Sequence, residues 1–108
     1  MTSETTKIIN EIKPKLHQIV PSGSKVMLFG SRARGDEHKG SDFDILVLLN
    51  NEGHTTEQNH DEVVFPMYMV LWEHNLDANV LLYTKSEWEA KRGKSLLYHN
   101  VMEEAIEL

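Results

Sequence analysis

Two aspartates one residue apart, Asp42 and Asp44, stand at the mouth of the apolar run Ile45-Leu46-Val47-Leu48-Leu49, and ten residues separate Asp42 from the Gly30-Ser31 pair upstream. A continuous apolar run of this kind reads as a strand buried on both faces, where carboxylates at the mouth cost folding energy unless something pairs with them. Residues two apart in a strand point to the same side, so the two carboxylates present together while Phe43 faces the opposite way. Adjacent anions repel, and the usual remedy is a divalent cation. Oxygen-only ligands favour Mg²⁺ or Mn²⁺ over zinc, and Mg²⁺ is typically held by one or two carboxylates together with substrate phosphates. The aspartate pair therefore predicts a phosphate. Gly30-Ser31 follows an apolar run and precedes a short helical stretch, an arrangement in which backbone N–H groups and a hydroxyl can hold an anion, with glycine allowing close approach. The bland alternative is an N-capping serine after a strand-ending glycine, beside two aspartates that cap a turn.

These residues need elements to hold them. Ile8, Ile9, Ile12, Leu16, Ile19 and Val20 recur at helical spacing, which predicts a helix over residues 4–20 that Pro14 should kink or divide. Strands are expected at 25–29 and 44–49, framing the motif, with a turn or short helix between Gly30 and Gly35. Val63, Val64, Met67, Val70 and Leu71 predict a second helix, made irregular by Pro66. A third strand falls at 79–83, "TKSE" at 84–87 matches a capping box for a helix carrying Trp88, and "SLLYHNVMEEAIEL" reads as a last helix. The order is helix, strand, strand, helix, strand, helix, helix, an α/β (α+β) arrangement on one small sheet.

Composition bounds the function. The 108 residues suit one domain over 1–108, and 40% hydrophobic with 26% charged residues are ordinary globular values. With no cysteine there is neither a disulfide framework nor a thiolate metal site, which favours an intracellular address. The opening "MTSETTKIINEIKPK" lacks the apolar core of a signal peptide, and no window approaches a membrane span, so a cytoplasmic location without membrane partners is expected. A formal charge of −6 with no dense Lys/Arg tract disfavours a long nucleic-acid duplex as partner.

The pattern Gly30-Ser31, ten residues, Asp42-x-Asp44 resembles the signature of the DNA polymerase beta-like nucleotidyltransferase superfamily. In its local form "GSRARG…SDFDILV" it is similar to the minimal nucleotidyltransferase (MNT) branch, whose members are often paired with HEPN proteins. The tight motif covers about a fifth of the chain, and the order of elements resembles the family over most of it. The resemblance implies a nucleotidyltransferase-like fold with a small mixed sheet. It also implies transfer of a nucleoside monophosphate from a nucleoside triphosphate, ATP being the leading candidate, to an acceptor hydroxyl. Gly30 and Ser31 would then lie on the triphosphate and Asp42 and Asp44 on Mg²⁺ or Mn²⁺. Arg32 and Arg34, beside the Gly-Ser turn, are either phosphate-binding or solvated and structural cations.

The superfamily commonly adds a third carboxylate on a neighbouring strand as base for the attacking hydroxyl. Aligning the apolar run of "DANVLLY" puts that position at Asn79, which is no carboxylate, with Asp77 two residues earlier on the same face as the alternative. The site is thus either completed by Asp77 or built on two carboxylates with weak or partner-assisted turnover. The six histidines form no metal-binding spacing and are read as surface or core residues, and Trp72, Trp88 and Tyr83 as core or interface. At 108 residues, a second domain that grips an acceptor is not expected, so a second chain is expected to help. Two functions follow: a small transferase, antitoxin-like, that modifies a partner, a HEPN-type helical protein by resemblance, or a catalytically weak nucleotide-binding subunit that masks its partner by contact.

Overall fold

The computed structural model describes residues 1–108 as a four-stranded sheet covered by helices on both faces. Helix α1 (Ser3–Ile19) leads into β1 (Lys25–Phe29), the single-turn α2 (Ser31–Arg34) and β2 (Phe43–Leu49). A helical stretch follows in three parts, α3 (Glu57–Asn59), a π-helical segment (His60–Val64) and α4 (Phe65–Glu73). Strand β3 (Ala78–Thr84), helices α5 (Lys85–Glu89) and α6 (Leu96–Glu104) and a two-residue strand β4 (Ile106–Glu107) complete the chain. The sheet order is β3-β2-β1-β4, with β2 and β3 parallel and the other pairs antiparallel. This is the mixed α/β architecture expected for a nucleotidyltransferase-like fold.

Alternation along the strands assigns each face its layer. Phe43, Ile45, Val47 and Leu49 of β2 join Ile9, Ile12 and Leu16 of α1, with Val63, Met67 and Leu71, in the larger apolar cluster of 16 buried residues. The odd-numbered positions thus bind the sheet to α1 and α4. The even-numbered Leu46 and Leu48 turn the other way, into a smaller cluster with Trp88 of α5 and Tyr98 and Val101 of α6. Each such side chain, fully buried, contributes about 1.5–3 kcal/mol relative to exposure. β2 is buried on both faces from Ile45 onward, as the continuous apolar run requires. The second face is covered only over Leu46 and Leu48, so the start of β2, where Asp42 and Asp44 stand on that face, is left more open.

Several expectations change. Pro14 neither divides nor ends α1. Proline removes one helical bond, to the carbonyl of Asn10, and both residues lie on the exposed side of α1, where water can serve that carbonyl. Around Pro66 the irregularity is real and takes the form of the π-helical segment just before it, a shift of bonding that accommodates the missing N–H. The last helix stops at Glu104 rather than running to the end. Ala105 leaves the helix in extended conformation, and Ile106 and Glu107 pair antiparallel with Leu28 and Met27. The sheet therefore has four strands, not three. Trp72 is 54% exposed, so of the two alternatives, core or interface, its ring is not in the core. The capping box at Thr84 is present in full, Thr84 Oγ1 accepting from the Glu87 N–H while Glu87 Oε1 accepts from the Thr84 N–H.

Candidate nucleotidyl-transfer site

The antiparallel register of β1 and β2 sets Phe29 opposite Asp44, which carries Gly30, the next residue, over the Asp44 side chain. Gly30 adopts φ 76° and ψ −159°, a backbone region essentially reserved for glycine. A Cβ there would stand 2.1 Å from Oδ2 of Asp44, so no other residue fits without displacing that carboxylate. The two halves of the motif are thus in contact. The Gly30 carbonyl accepts from the N–H groups of Ala33 and Arg34 and so starts α2, whose first N–H, on Ser31, has no intrahelical acceptor. The half-buried Ser31 begins the helix beside this contact.

The parallel register of β2 and β3 places Asp44 opposite Asn79. The Asn79 side-chain nitrogen donates to Oδ2 of Asp42 at 3.2 Å and to Oδ1 of Asp44 at 3.0 Å. One amide thus uses both of its hydrogens to hold two carboxylates together. Asn79 occupies the place where the resemblance puts a third carboxylate. Asp77 lies at the lip of the same face, its side chain exposed and its carbonyl accepting from the Phe43 N–H. It joins no group of three or more acidic, His or Cys side chains able to hold a metal.

Asp42 and Asp44 nonetheless fit a divalent cation: their oxygens converge within about 3 Å of one nitrogen, the donor set is all oxygen, and Asp42 is exposed. The remaining coordination positions would fall to substrate oxygens and water.

The two arginines separate. Arg32 is 5% exposed. Its Nε and Nη2 donate to the Ser41 carbonyl at 3.2 and 3.1 Å, Nη1 donates to Thr5 Oγ1 at 3.1 Å, and the guanidinium lies 4.5 Å from the Phe43 ring centroid. Of the two readings of Arg32, this burial favours the structural one over phosphate binding: three of its five N–H donors tie the loop before β2 to α1, and its guanidinium face lies on the ring of Phe43, the first residue of β2. Thr5 also donates to Glu37, as does Thr2. Those hydrogen bonds, from Thr2 first and Thr5 second, pull the Glu37 carboxyl down to about 2.

Arg34 remains on the surface beside Gly30, its side chain 47% exposed. It pairs with Asp36 at 3.1 Å and with Glu104 at 2.7 Å. The hydrogen bond to Asp36, followed by the charges of Glu104 and Asp36, raises its pKa against an opposing effect of desolvation. Glu104 is the residue that sequence reasoning missed. Its Oε2 accepts from Arg34 and also, at 2.7 Å, from the Gly30 N–H. No local signal marks it, because it arrives from the end of α6.

The family model of the nucleotidyltransferase domain matches residues 9–107, and the chain belongs to that family. A search of curated proteins gave no match. Among solved structures, a toxin-antitoxin crystallised with AMP-PNP is similar at TM-score 0.62 and 21% identity, covering 91% of this chain and 69% of that one. The MntA-HpeT toxin-antitoxin, in a mutant with two aspartates spaced two apart changed to glutamate, gives TM-score 0.60 and 18% identity with the same coverages. A candidate nucleotidyltransferase from Sulfolobus solfataricus gives TM-score 0.55 and 24% identity, covering 96% of this chain and 78% of that one. At these identities the likeness is one of fold. No helix is long and apolar enough to cross a membrane.

Proposed function

We propose that the chain binds a nucleoside triphosphate, ATP first among candidates, between Gly30-Ser31 and the aspartate pair, and transfers its nucleoside monophosphate to a hydroxyl of a partner protein, as an antitoxin of the MNT type. The observation that carries this reading is the packing of Gly30 on Asp44, which puts a phosphate-type turn and a metal-type carboxylate pair within reach of one ligand. Gly30 and Ser31 offer N–H and hydroxyl donors to the β- and γ-phosphates. Asp42 and Asp44 would hold Mg²⁺ or Mn²⁺, which when bound supplies charge neutralisation and a more acidic attacking oxygen. Asn79 fixes the two carboxylates side by side before any ligand arrives, so little reorganisation is left for the transfer.

A protein acceptor suits the openness of the site. Asp42, Asp77 and Asn79 are all exposed, and the covered part of that face stops at Leu46, so exclusion of water falls to whatever docks there. The two toxin-antitoxin structures of similar fold support a protein partner, a small helical HEPN-type chain being the leading candidate, and the AMP-PNP in one supports the nucleotide. The aspartate spacing altered in the other is the spacing of Asp42 and Asp44.

Asn79 also favours a second reading, a nucleotide-binding subunit with weak turnover that acts by contact, because an amide at the third position takes no proton from the acceptor. Incubation with α-labelled ATP, Mg²⁺ and the partner protein separates the two. Label on the partner and release of pyrophosphate, both lost in Asp42→Asn and Asp44→Asn, are expected. Metal-dependent nucleotide binding without any label transfer leaves the second reading, and binding indifferent to both metal and Asp42→Asn removes the site altogether.

A further inference from the structure

One of the donors assigned to the triphosphate, the Gly30 N–H, already holds an anion, and it belongs to the protein. Oε2 of Glu104 accepts from the Gly30 N–H at 2.7 Å and from Arg34 Nη1 at 2.7 Å, both short charge-assisted bonds, and the Glu104 side chain is only 16% exposed. Gly30 has one N–H. A phosphate oxygen and the Glu104 carboxylate cannot both take it, and a polyphosphate arriving beside Arg34 meets a carboxylate in its way. We propose that Glu104 is a built-in competitor for the triphosphate, and that the site accepts its substrate only when the Glu104 side chain swings off Gly30 and Arg34. This rests on the reading of Gly30-Ser31 as the triphosphate site, and adds a control of it.

The surroundings allow such a swing without unfolding. Glu104 is the last residue of α6, the Ala105 that follows is already extended, and β4 is anchored separately through its ladder to β1 and the Leu108 N–H bond to the Val26 carbonyl. The side chain can rotate while the strand beyond it stays paired. Arg34 keeps Asp36 when Glu104 leaves, so its guanidinium stays beside Gly30 and is freed on one edge to receive phosphate. In the resting chain the carboxylate satisfies Gly30 and excludes singly charged anions that cannot outbid it. A metal-bound triphosphate, anchored also at Asp42 and Asp44, can.

The test compares the wild-type chain with Glu104→Gln and Glu104→Ala, using calorimetry with Mg·ATP and, separately, Mg·tripolyphosphate. Both variants should bind ATP about tenfold more tightly, the factor expected when the competing contact is made about nine-tenths of the time. The Gly30 amide proton of the free chain should also move upfield in Glu104→Gln, as a carboxylate acceptor is lost. Equal or weaker ATP binding by both variants, or an unmoved Gly30 resonance, overturns the competitor while leaving the nucleotide site standing. If no protein binds ATP yet tripolyphosphate binds more tightly to the variants, the competitor stands and the nucleotide reading falls. If neither ligand binds to any of the three, both are wrong.

Discussion

Gly30 rests directly on Asp44: a methyl group added to the glycine would lie 2.1 Å from Oδ2 of the aspartate. This contact makes Gly30→Ala doubly damaging. The substitution forces a side chain onto a φ of 76° and drives the Asp44 carboxylate out of its pair with Asp42. A loss of about 1–3 kcal/mol is expected, read as a fall in Tm by thermal denaturation. Mg²⁺-dependent nucleotide binding should fall further than stability does, because the displaced carboxylate belongs to the site.

The features legible in the sequence are those decided locally. The runs 25–29 and 44–49 are strands because continuous apolar stretches between polar turns have few other uses, and the Thr84–Glu87 capping box is a contact within one turn. Asn79 could be placed because the parallel register follows from aligning two apolar runs. What escaped is decided at a distance. Strand β4 is two residues long and continues a helical apolar spacing, and only its pairing with Leu28 and Met27 makes it a strand. Arg32 looks like a surface cation until the Ser41 carbonyl, the Thr5 hydroxyl and the Phe43 ring close around it, and Glu104 reaches Gly30 across 74 positions of sequence.

Arg32 should therefore behave as a structural residue. Arg32→Met leaves the Ser41 carbonyl and the Thr5 hydroxyl without their charged donor, a cost on the order of 2–3 kcal/mol. Urea denaturation should show the loss in the midpoint. At temperatures where the variant is folded, its affinity for Mg·ATP should match that of the wild type. A variant of unchanged stability that no longer binds nucleotide would return Arg32 to the phosphate site.

Glu37 links pH to the same loop. Its carboxyl, lowered from 4.5 to about 2 by hydrogen bonds from Thr2 and Thr5, is charged in the folded chain at pH values where the unfolded chain has taken up a proton. Its contribution is present in full above pH 4.5 and is lost as the pH falls toward 2. The stability difference between wild type and Glu37→Gln should accordingly shrink as denaturation is followed from pH 6 to pH 3. A difference that stays constant over this range means that the carboxylate is not held by the two threonines.

The third position of the site is held by an amide, Asn79, opposite Asp44. In the wild type, Asn79 offsets the repulsion of Asp42 and Asp44 by giving one hydrogen to each. Asn79→Asp replaces that donor with a third anion, so in the absence of metal the chain should be less stable, most clearly at low ionic strength. The same change completes an acidic triad, and binding of Mg²⁺ to the native state alone should restore stability by mass action. The rise in Tm on adding Mg²⁺ should thus be larger in Asn79→Asp than in the wild type. If proton removal from the acceptor limits the wild-type reaction, label transfer to the partner should rise as well. Asp77→Asn is the control, since Asp77 lies on the same face but joins no acidic cluster. With a two-carboxylate site, Asp77→Asn leaves both nucleotide binding and transfer unchanged. Loss of transfer in Asp77→Asn with binding intact, together with a silent Asn79→Asp, would instead assign the base to Asp77 and require the lip of β3 to close when substrate binds.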